Sequence, residues 1–254
     1  MILNIAAYRF VAIDDPQTLA ASIRASTTAS GLRGSVLVAD EGLNLFLAGP
    51  ADAVEDWLQT LCSDPRFADL VVKRSWSEQI PFARLKVKCK AEIIGFRQPQ
   101  TDPIAGRAPA LAPDVLARWL AQGHDDNGQR VVLLDTRNRE EVAHGAFRDA
   151  VTLPIDNFTD LPAAIEPLRE QLADATLVSY CTGGIRCEKA ALWLRAHGLP
   201  QTLQLDGGIL GYFEAVGGFG YDGACLVFDE RVALDPQLQP IGRAFGPPSR
   251  KNYD

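Results

Sequence analysis

A stretch near position 180 constrains the fold more than any other part of the chain. It begins with a short apolar run, opens into a loop with one cysteine and two glycines, and continues as a helical pattern, VSYCTGGIRCEKAALWL (178–194). This order predicts a strand, a tight loop and a helix, which is a building unit of α/β folds. Cys181 is therefore expected directly after a strand and close to a helix N-terminus.

The loop has the composition of a thiolate site. Gly183 and Gly184 allow backbone N–H groups to turn inward as an anion-binding nest. The helix dipole and Arg186 add positive charge, conditions that lower a thiol pKa from about 8.5 into the range of about 3.5 to 7.5. We therefore interpret Cys181 as a nucleophile rather than as a small buried apolar residue, the commonest role of a free cysteine. That role requires a thiol that ionises readily and that solvent can reach.

The length of the loop separates two kinds of chemistry. Four residues lie between Cys181 and Arg186, whereas the similar loop of cysteine phosphatases has five. A shorter ring holds a smaller group, such as a sulfur carried on the cysteine, better than a tetrahedral phosphate. The sequence thus favours a rhodanese-type loop. The intervening residues are Thr182, Gly183, Gly184 and Ile185.

Composition limits the class of protein. A chain of 254 residues with 47% hydrophobic residues is long enough for two domains. A net charge of -7 argues against indiscriminate nucleic-acid binding, so we expect no DNA partner. Five irregularly spaced cysteines and three histidines predict neither a disulfide framework nor a bound metal, and no cofactor motif is evident.

The N-terminal region lacks a basic leader, and no apolar run reaches the about 18 residues of a membrane span. We therefore expect a cytoplasmic protein with reduced thiols and no membrane partner. The sequence carries no signal for an oligomeric state.

The first 95 residues predict a ferredoxin-like (acylphosphatase-like) α+β domain. Its order of elements is βαββαβ, a small sheet with two helices on one side. That fold implies no particular function. The expected strands are 2–13, 34–39, 43–48 and 70–76, and the expected helices are 17–29 and 51–62.

A basic stripe follows within the sequence PFARLKVKCK (81–90). Basic and apolar residues alternate there, so Arg84, Lys86, Lys88 and Lys90 share one face of an extended chain. Between positions 66 and 107 the sequence has nine basic residues and only four acidic ones. This charge asymmetry is expected of a surface that binds a phosphate backbone. A solvated edge strand whose lysines prevent aggregation explains the pattern equally well.

The second half alternates strands and helices, which predicts a parallel sheet covered on both faces. A linker and a short helix (96–127) precede it. Asp135 and Arg137 follow the first apolar strand at the edge where α/β sheets place their sites, and we expect this pair to brace the cysteine loop. The expected strands are 131–134, 151–154, 177–180, 202–205 and, in the tail, 225–228, and the expected helices are 161–172, 188–197 and 209–216.

These residues carry a family resemblance. Residues 128–222 resemble a rhodanese domain, followed by a C-terminal tail (223–254). The combination of CTGGIRCEK (181–189), ADEGLN (39–44), PFARLKVK (81–88) and LVFDER (226–231) resembles the rhodanese-containing tRNA uridine(34) hydroxylases. The four motifs occur in the family's order, which makes the resemblance far more specific than a cysteine loop alone.

The resemblance implies oxygen-dependent conversion of uridine 34 in tRNA anticodons to 5-hydroxyuridine, with molecular oxygen as co-substrate and Cys181 as the active cysteine. One hypothesis is that the thiolate adds to C6 of the uracil ring, and a persulfide on Cys181 is the competing intermediate. Cys187 could resolve an oxidised Cys181 or could simply pack. The basic stripe and Arg97 would hold the backbone of tRNA.

Two other function classes stay open from the sequence. A sulfurtransferase that moves persulfide sulfur to an acceptor would use the same Cys181 and Arg186. A rhodanese-like binding module without activity is disfavoured because the cysteine is present. The basic stripe and the upstream motifs favour RNA modification.

Overall fold

The computed structural model describes residues 1–99 and 101–241. Within these ranges the chain forms two five-stranded sheets and two small two-stranded sheets. The strands are β1 Ile2–Phe10, β2 Arg33–Ala39, β3 Gly42–Pro50, β4 Val72–Ser77, β5 Leu85–Cys89, β6 Ala110–Leu111, β7 Val131–Asp135, β8 Gly145–Phe147, β9 Val151–Thr152, β10 Thr176–Tyr180, β11 Thr202–Leu205, β12 Tyr221–Gly223, β13 Cys225–Leu226 and β14 Ala233–Leu234. The helices are α1 Pro16–Ala29, α2 Ala51–Cys62, α3 Pro113–Gln122, α4 Arg139–Val142, α5 Leu161–Ile165, α6 Arg169–Leu172, α7 Ile185–Ala196 and α8 Gly208–Val216.

The predicted ferredoxin-like domain is confirmed. Its sheet has the order β4-β1-β3-β2-β5, in which β5 is an added edge strand parallel to β2 and the other pairs are antiparallel. Helix α1 starts where the sequence indicates, because the Asp15 carboxylate accepts a hydrogen bond from the Thr18 backbone N–H and Pro16 opens the first turn.

The two faces of this sheet have different partners. Leu3, Ile5 and Ala7 alternate toward α1 and α2 and are buried in the domain core. The opposite face, which we call the docking face, contacts the second domain. It includes Asn4, Ala6, Tyr8, Phe46, Lys73 and Ser75.

The second domain has the predicted parallel sheet, with the order β6-β11-β10-β7-β9. Helices α3 and α8 pack on one face around Trp119 and Phe213, and α5, α6 and α7 pack on the other around Ile165 and Trp193. Helices therefore cover both faces of the sheet, as its near-continuous apolar strands predict.

Several element boundaries differ from the prediction. The single helix expected over 161–172 is wrong, because Pro167 interrupts it and leaves α5 and α6 separated by a 3₁₀ turn. Helix α7 begins at Ile185, so the last predicted loop residue is already helical. Strand β6, inside the predicted linker, pairs with β11.

The tail has local structure as far as it is described. Within the strand predicted over 225–228, residues Cys225–Leu226 form β13, which pairs with β14 as a short antiparallel hairpin. Strand β12 pairs with β8, a contact between distant segments that no local pattern indicates. The end of the predicted tail, 242–254, lies outside the described residues.

Candidate active site

Cys181 follows the last residue of β10 and precedes α7 by four residues. Gly184 is the N-cap of α7 and has a φ of 101°, a left-handed conformation that favours glycine. This conformation directs the Gly184 backbone N–H to the Cys181 Sγ at 3.2 Å. Of the two glycines in the loop, Gly184 is thus the one whose conformation bends the backbone around the sulfur, whereas Gly183 has no left-handed φ.

Cys181 has the depressed pKa of a reactive thiol. Burial raises its pKa, but a hydrogen bond from the Cys187 thiol, the charge of Arg186 and backbone N–H groups outweigh that effect and lower the pKa to about 5. Burial and the neighbouring Cys181 raise the pKa of Cys187 well above its ordinary value. At neutral pH, Cys187 is therefore the neutral donor and Cys181 the thiolate.

Arg186 is held by a carboxylate that the sequence did not single out. Its guanidinium donates two hydrogen bonds to Glu141, at 2.6 and 2.5 Å, and both side chains are buried. Glu141 belongs to α4 and also accepts a hydrogen bond from the Thr182 hydroxyl at 3.2 Å. This pair fixes the loop to the neighbouring helix, so Arg186 positions the loop as well as placing positive charge near Cys181.

The backbone around the cysteine is held on two sides. The Thr136 backbone N–H and hydroxyl both donate to the Tyr180 carbonyl, at 3.0 and 2.9 Å. The first turn of α8 contacts the other side, where the Ile209 N–H donates to the Cys181 carbonyl at 2.9 Å. A Cβ on Gly208 would lie 2.5 Å from that same carbonyl oxygen, so only glycine permits this approach.

The predicted bracing pair, Asp135 and Arg137, forms a fully buried ion pair at 2.6 Å. The Arg137 guanidinium lies 5.8 Å from the centre of the Tyr180 ring and donates to the Gly145 carbonyl at 2.7 Å. The pair thus contacts the residue before Cys181, and a role in bracing the loop stays a prediction.

Cys181 is completely buried, contrary to the expectation that solvent reaches it. The docking face covers the loop, because the Tyr8 hydroxyl lies 3.1 Å from the position of a Cβ on Gly184. The same hydroxyl donates to Glu188 at 2.9 Å. Sequence reasoning considered the second domain alone and so missed the cover that the first domain supplies.

Lys189, the residue after Glu188 in α7, connects the two domains. Its side chain is 1% exposed, and its ammonium contacts the carboxylates of Glu41 at 2.8 Å and Glu92 at 2.7 Å. It also donates to the Ile94 carbonyl at 3.1 Å. A buried ammonium with two carboxylate partners holds the start of α7 against the first domain.

A crevice between the domains reaches the cysteine loop at Thr182. Its volume of about 30 Å³ is room for about one water molecule. The segment 226–231 closes one side, where the Arg231 guanidinium donates to the Ser75 hydroxyl at 2.6 Å. The principal side chains lining the crevice are Phe46, Lys73, Ser75, Thr182, Phe228 and Arg231.

The basic stripe follows the exposed edge strand β5, with Arg84 and Lys90 directly outside its two ends. Its four basic side chains are exposed, whereas Val87 is buried in the core of the first domain. Lys86 is paired in register with Ser35 and thus shares the side of the sheet that carries the docking face. Three strand spacings, about 14 Å, separate β5 from β1. Arg97 is also exposed, and its backbone N–H donates to Glu92.

In residues 1–99 and 101–241, no three His, Cys, Asp or Glu side chains come together as a metal-binding group. Among the helices of those residues, none combines the length and the apolar character needed to cross a membrane.

Two family models match the chain. Residues 2–93 match the UPF0176 acylphosphatase-like domain, and residues 116–215 match the rhodanese-like domain. The first range covers β1 to β5 with α1 and α2, and the second runs from within α3 into α8 and leaves β6 outside it.

Relatives align with almost the whole chain. A protein of Xanthomonas euvesicatoria pv. vesicatoria (strain 85-10) named tRNA uridine(34) hydroxylase is 61% identical, covering 95% of this chain and 97% of its own. One of the same name from Xylella fastidiosa (strain 9a5c) is 57% identical, covering 95% and 94%. Among solved structures, a Saccharomyces cerevisiae homologue of single-domain rhodanese is 20% identical, with a TM-score of 0.36 over 42% of this chain and 80% of that one.

Proposed function

This chain belongs to the rhodanese-containing tRNA uridine(34) hydroxylase family, and from that premise we propose that it hydroxylates C5 of uridine 34 in tRNA anticodons in the cytoplasm. The observation that carries the proposal is the Cys181 thiolate at the interface between the two domains. Cys181 has a pKa of about 5 and lies beneath the sheet face that continues to the basic stripe.

In the proposed reaction, the Cys181 thiolate attacks C6 of the uracil ring. An S–C6 bond forms, and the electrons of the C5=C6 double bond move onto C5 and the O4 oxygen as an enolate. The electron-rich C5 then reacts with molecular oxygen. One oxygen atom remains on C5 and the other leaves as water, which consumes two electrons from a reductant and two protons. Loss of the C5 proton and release of the thiolate restore the ring.

The base must leave the anticodon stack and enter the crevice. A crevice of about 30 Å³ does not hold a uracil ring, so the docking face and the 226–231 segment must separate from the loop during binding. Phe46 of the first domain and Phe228 of the second meet edge to face at the crevice, with 6.4 Å between ring centroids. Aromatic rings in this position suit stacking with an extruded base.

The test is Cys181→Ser, analysed by mass spectrometry of nucleosides from tRNA treated with the purified protein. We expect 5-hydroxyuridine to be lost in Cys181→Ser and retained in Cys62→Ser, which changes a thiol outside the site. A stalled covalent RNA adduct should map to Cys181. Hydroxylation by Cys181→Ser would contradict the proposal.

A sulfurtransferase is the second candidate, because the rhodanese-like match and the four-residue loop would also suit a persulfide on Cys181. The two functions differ in their product. In cells that lack the gene, loss of 5-hydroxyuridine from tRNA supports hydroxylation, whereas loss of a thiolated base supports sulfur transfer.

A further inference from the structure

Lys73 occupies a position in the crevice that none of the sequence motifs includes. It lies on β4, with its side chain on the docking face in register with Ala6. Its Cε lies 3.6 Å from the position of a Cβ on Gly207 and 4.0 Å from that of one on Gly211. These glycines at the start of α8 leave room for the lysine stem, which extends from the first domain over the second.

The Lys73 side chain is partly buried, and its ammonium has no polar partner among residues 1–99 and 101–241. Its Nζ lies 5.9 Å from the centre of the Tyr8 ring, and among the described residues neither a hydrogen bond nor an ion pair reaches it. The start of a helix is unfavourable for a cation because the helix dipole is positive there. An ammonium held in this place without a partner is therefore available to an anion that enters the crevice.

The charged groups around Lys73 come from both domains. Burial lowers the pKa of Lys73, and the Cys181 thiolate is the largest of the charges that oppose this effect, ahead of Asp206, Glu214 and Cys187. The carboxylates of Asp206 and Glu214 stay beyond ion-pair distance, and Asp206 is paired with Arg107 at 3.2 Å. Arg231, the neighbouring cation of the crevice, is paired with Asp229.

We propose that Lys73 is a further catalytic residue, an inference that rests on the proposed hydroxylation. Its ammonium donates a hydrogen bond to the uracil O4 while Cys181 adds to C6. In that step, negative charge leaves the sulfur and appears on O4. A base in the crevice would lie between the loop that carries Cys181 and the docking face that carries Lys73. The flexible lysine stem lets one cation follow the charge from sulfur to oxygen.

The experiment compares wild type with Lys73→Met, Lys73→Arg and Arg118→Met in single-turnover hydroxylation of tRNA. Arg118→Met is the matched control, because it removes an exposed cation of α3 that is paired with Asp126. We expect Lys73→Met to slow the single-turnover rate by about 100-fold, with little change in tRNA affinity or its salt dependence. Lys73→Arg should restore most of the rate.

Two results would overturn the inference. In one, Lys73→Met turns over at the rate of Arg118→Met. In the other, Lys73→Met keeps its single-turnover rate but binds tRNA more weakly, with a salt slope reduced by about one, which identifies a phosphate contact instead. Lys73→Gln, a polar replacement, gives the same comparison if Lys73→Met does not fold.

Trapping separates this inference from the proposed function. With tRNA that carries 5-fluorouridine at position 34, wild type should form a C6 adduct at Cys181, and Lys73→Met should form it more slowly. Absence of the adduct in wild type would contradict addition at C6 itself. Equal rates of adduct formation in wild type and Lys73→Met would contradict only the role of Lys73.

Discussion

At the scale of single residues, the loop thiol of Cys181 and the α7 thiol of Cys187 have opposite roles although they are only six positions apart. Cys181 is the acceptor of hydrogen bonds and has a pKa of about 5, whereas the Cys187 pKa is raised by burial and by Cys181. The sequence assigned the stabilising charge to Arg186, but Glu141 takes both of its strong hydrogen bonds. The neutral thiol of Cys187 is therefore a major stabiliser of the thiolate.

The depressed pKa of Cys181 predicts a pH-dependent contribution to stability. The folded pKa of about 5 lies below the ordinary thiol value of about 8.5, so between these values the unfolded chain binds a proton that the folded chain does not. The stabilisation is complete above about pH 8.5, decreases as the pH falls, and is lost below about pH 5. The measurement is the free energy of unfolding in urea of wild type and of Cys181→Ser at several pH values across this range. The quantity of interest is the wild-type value minus the Cys181→Ser value.

That difference should increase steadily with pH, because other titrating groups largely cancel between the two proteins. Cys62→Ser is the control, since burial raises the pKa of Cys62 and no thiolate is stabilised there. A difference between wild type and Cys181→Ser that is independent of pH would show that Cys181 ionises like an ordinary thiol.

At the scale of elements, the four sequence motifs meet at the interface between the domains. In the cysteine motif, Glu188 and Lys189 contact the first domain through Tyr8 and Glu41. The first-domain motif that contains Glu41 also supplies Asn44, which donates to the Ile93 carbonyl at 3.2 Å. In the last motif, Arg231 donates to Ser75, and the backbone N–H of Glu230 donates to the carbonyl of Pro81, the first residue of the remaining motif. The order of the four motifs along the sequence does not indicate that they lie together at the interface.

Strand β5 satisfies both interpretations of the basic stripe. It is an edge strand, where lysines prevent pairing with another sheet, and its basic side chains lie on the side of the sheet that carries the docking face. Only a binding measurement separates protection of the edge from contact with RNA.

Replacing Lys86, Lys88 and Lys90 by Gln tests the RNA interpretation. We expect weaker tRNA binding and a salt slope reduced by about two to three, because each lost phosphate contact removes about one released counterion. The matched control replaces Arg118, Arg130 and Arg139, which are exposed arginines of the second domain, by Gln. Unchanged tRNA affinity in the lysine variant would contradict the RNA interpretation, and protection of the sheet edge would then be the role of the stripe.

At the scale of the whole molecule, both domains contribute to the site. The cysteine loop is complete within the second domain, yet its surroundings come from the sheet face of the first: Tyr8 above Gly184, Lys73 beside α8 and Ser75 against Arg231. Admission of a base requires this cover to move, and the Lys189 contacts oppose that movement.

Lys189→Met should therefore loosen the interface. Removing the ammonium leaves two partly buried carboxylates side by side, at a cost of about 3 kcal/mol. Mass spectrometry of iodoacetamide labelling should find Cys181 almost unreactive in wild type and up to about 100-fold faster in Lys189→Met.

Arg107→Met is the control, since it removes a half-exposed partner of Glu188 at the same interface. If Lys189→Met and wild type label at the same rate, the cover over Cys181 does not depend on the Lys189 contacts.

The sequence by itself determined the two domains, the parallel and ferredoxin-like sheets, and the loop that holds Cys181. These depend on local patterns: apolar periodicity, the Asp15 cap and glycines where the backbone must turn. Tertiary structure alone decided the burial of Cys181, the pairing of Arg186 with Glu141, and the approach of Lys73 to the start of α8. Each joins segments separated by many residues, and their contacts depend on how one folded surface meets another, which local periodicity does not encode.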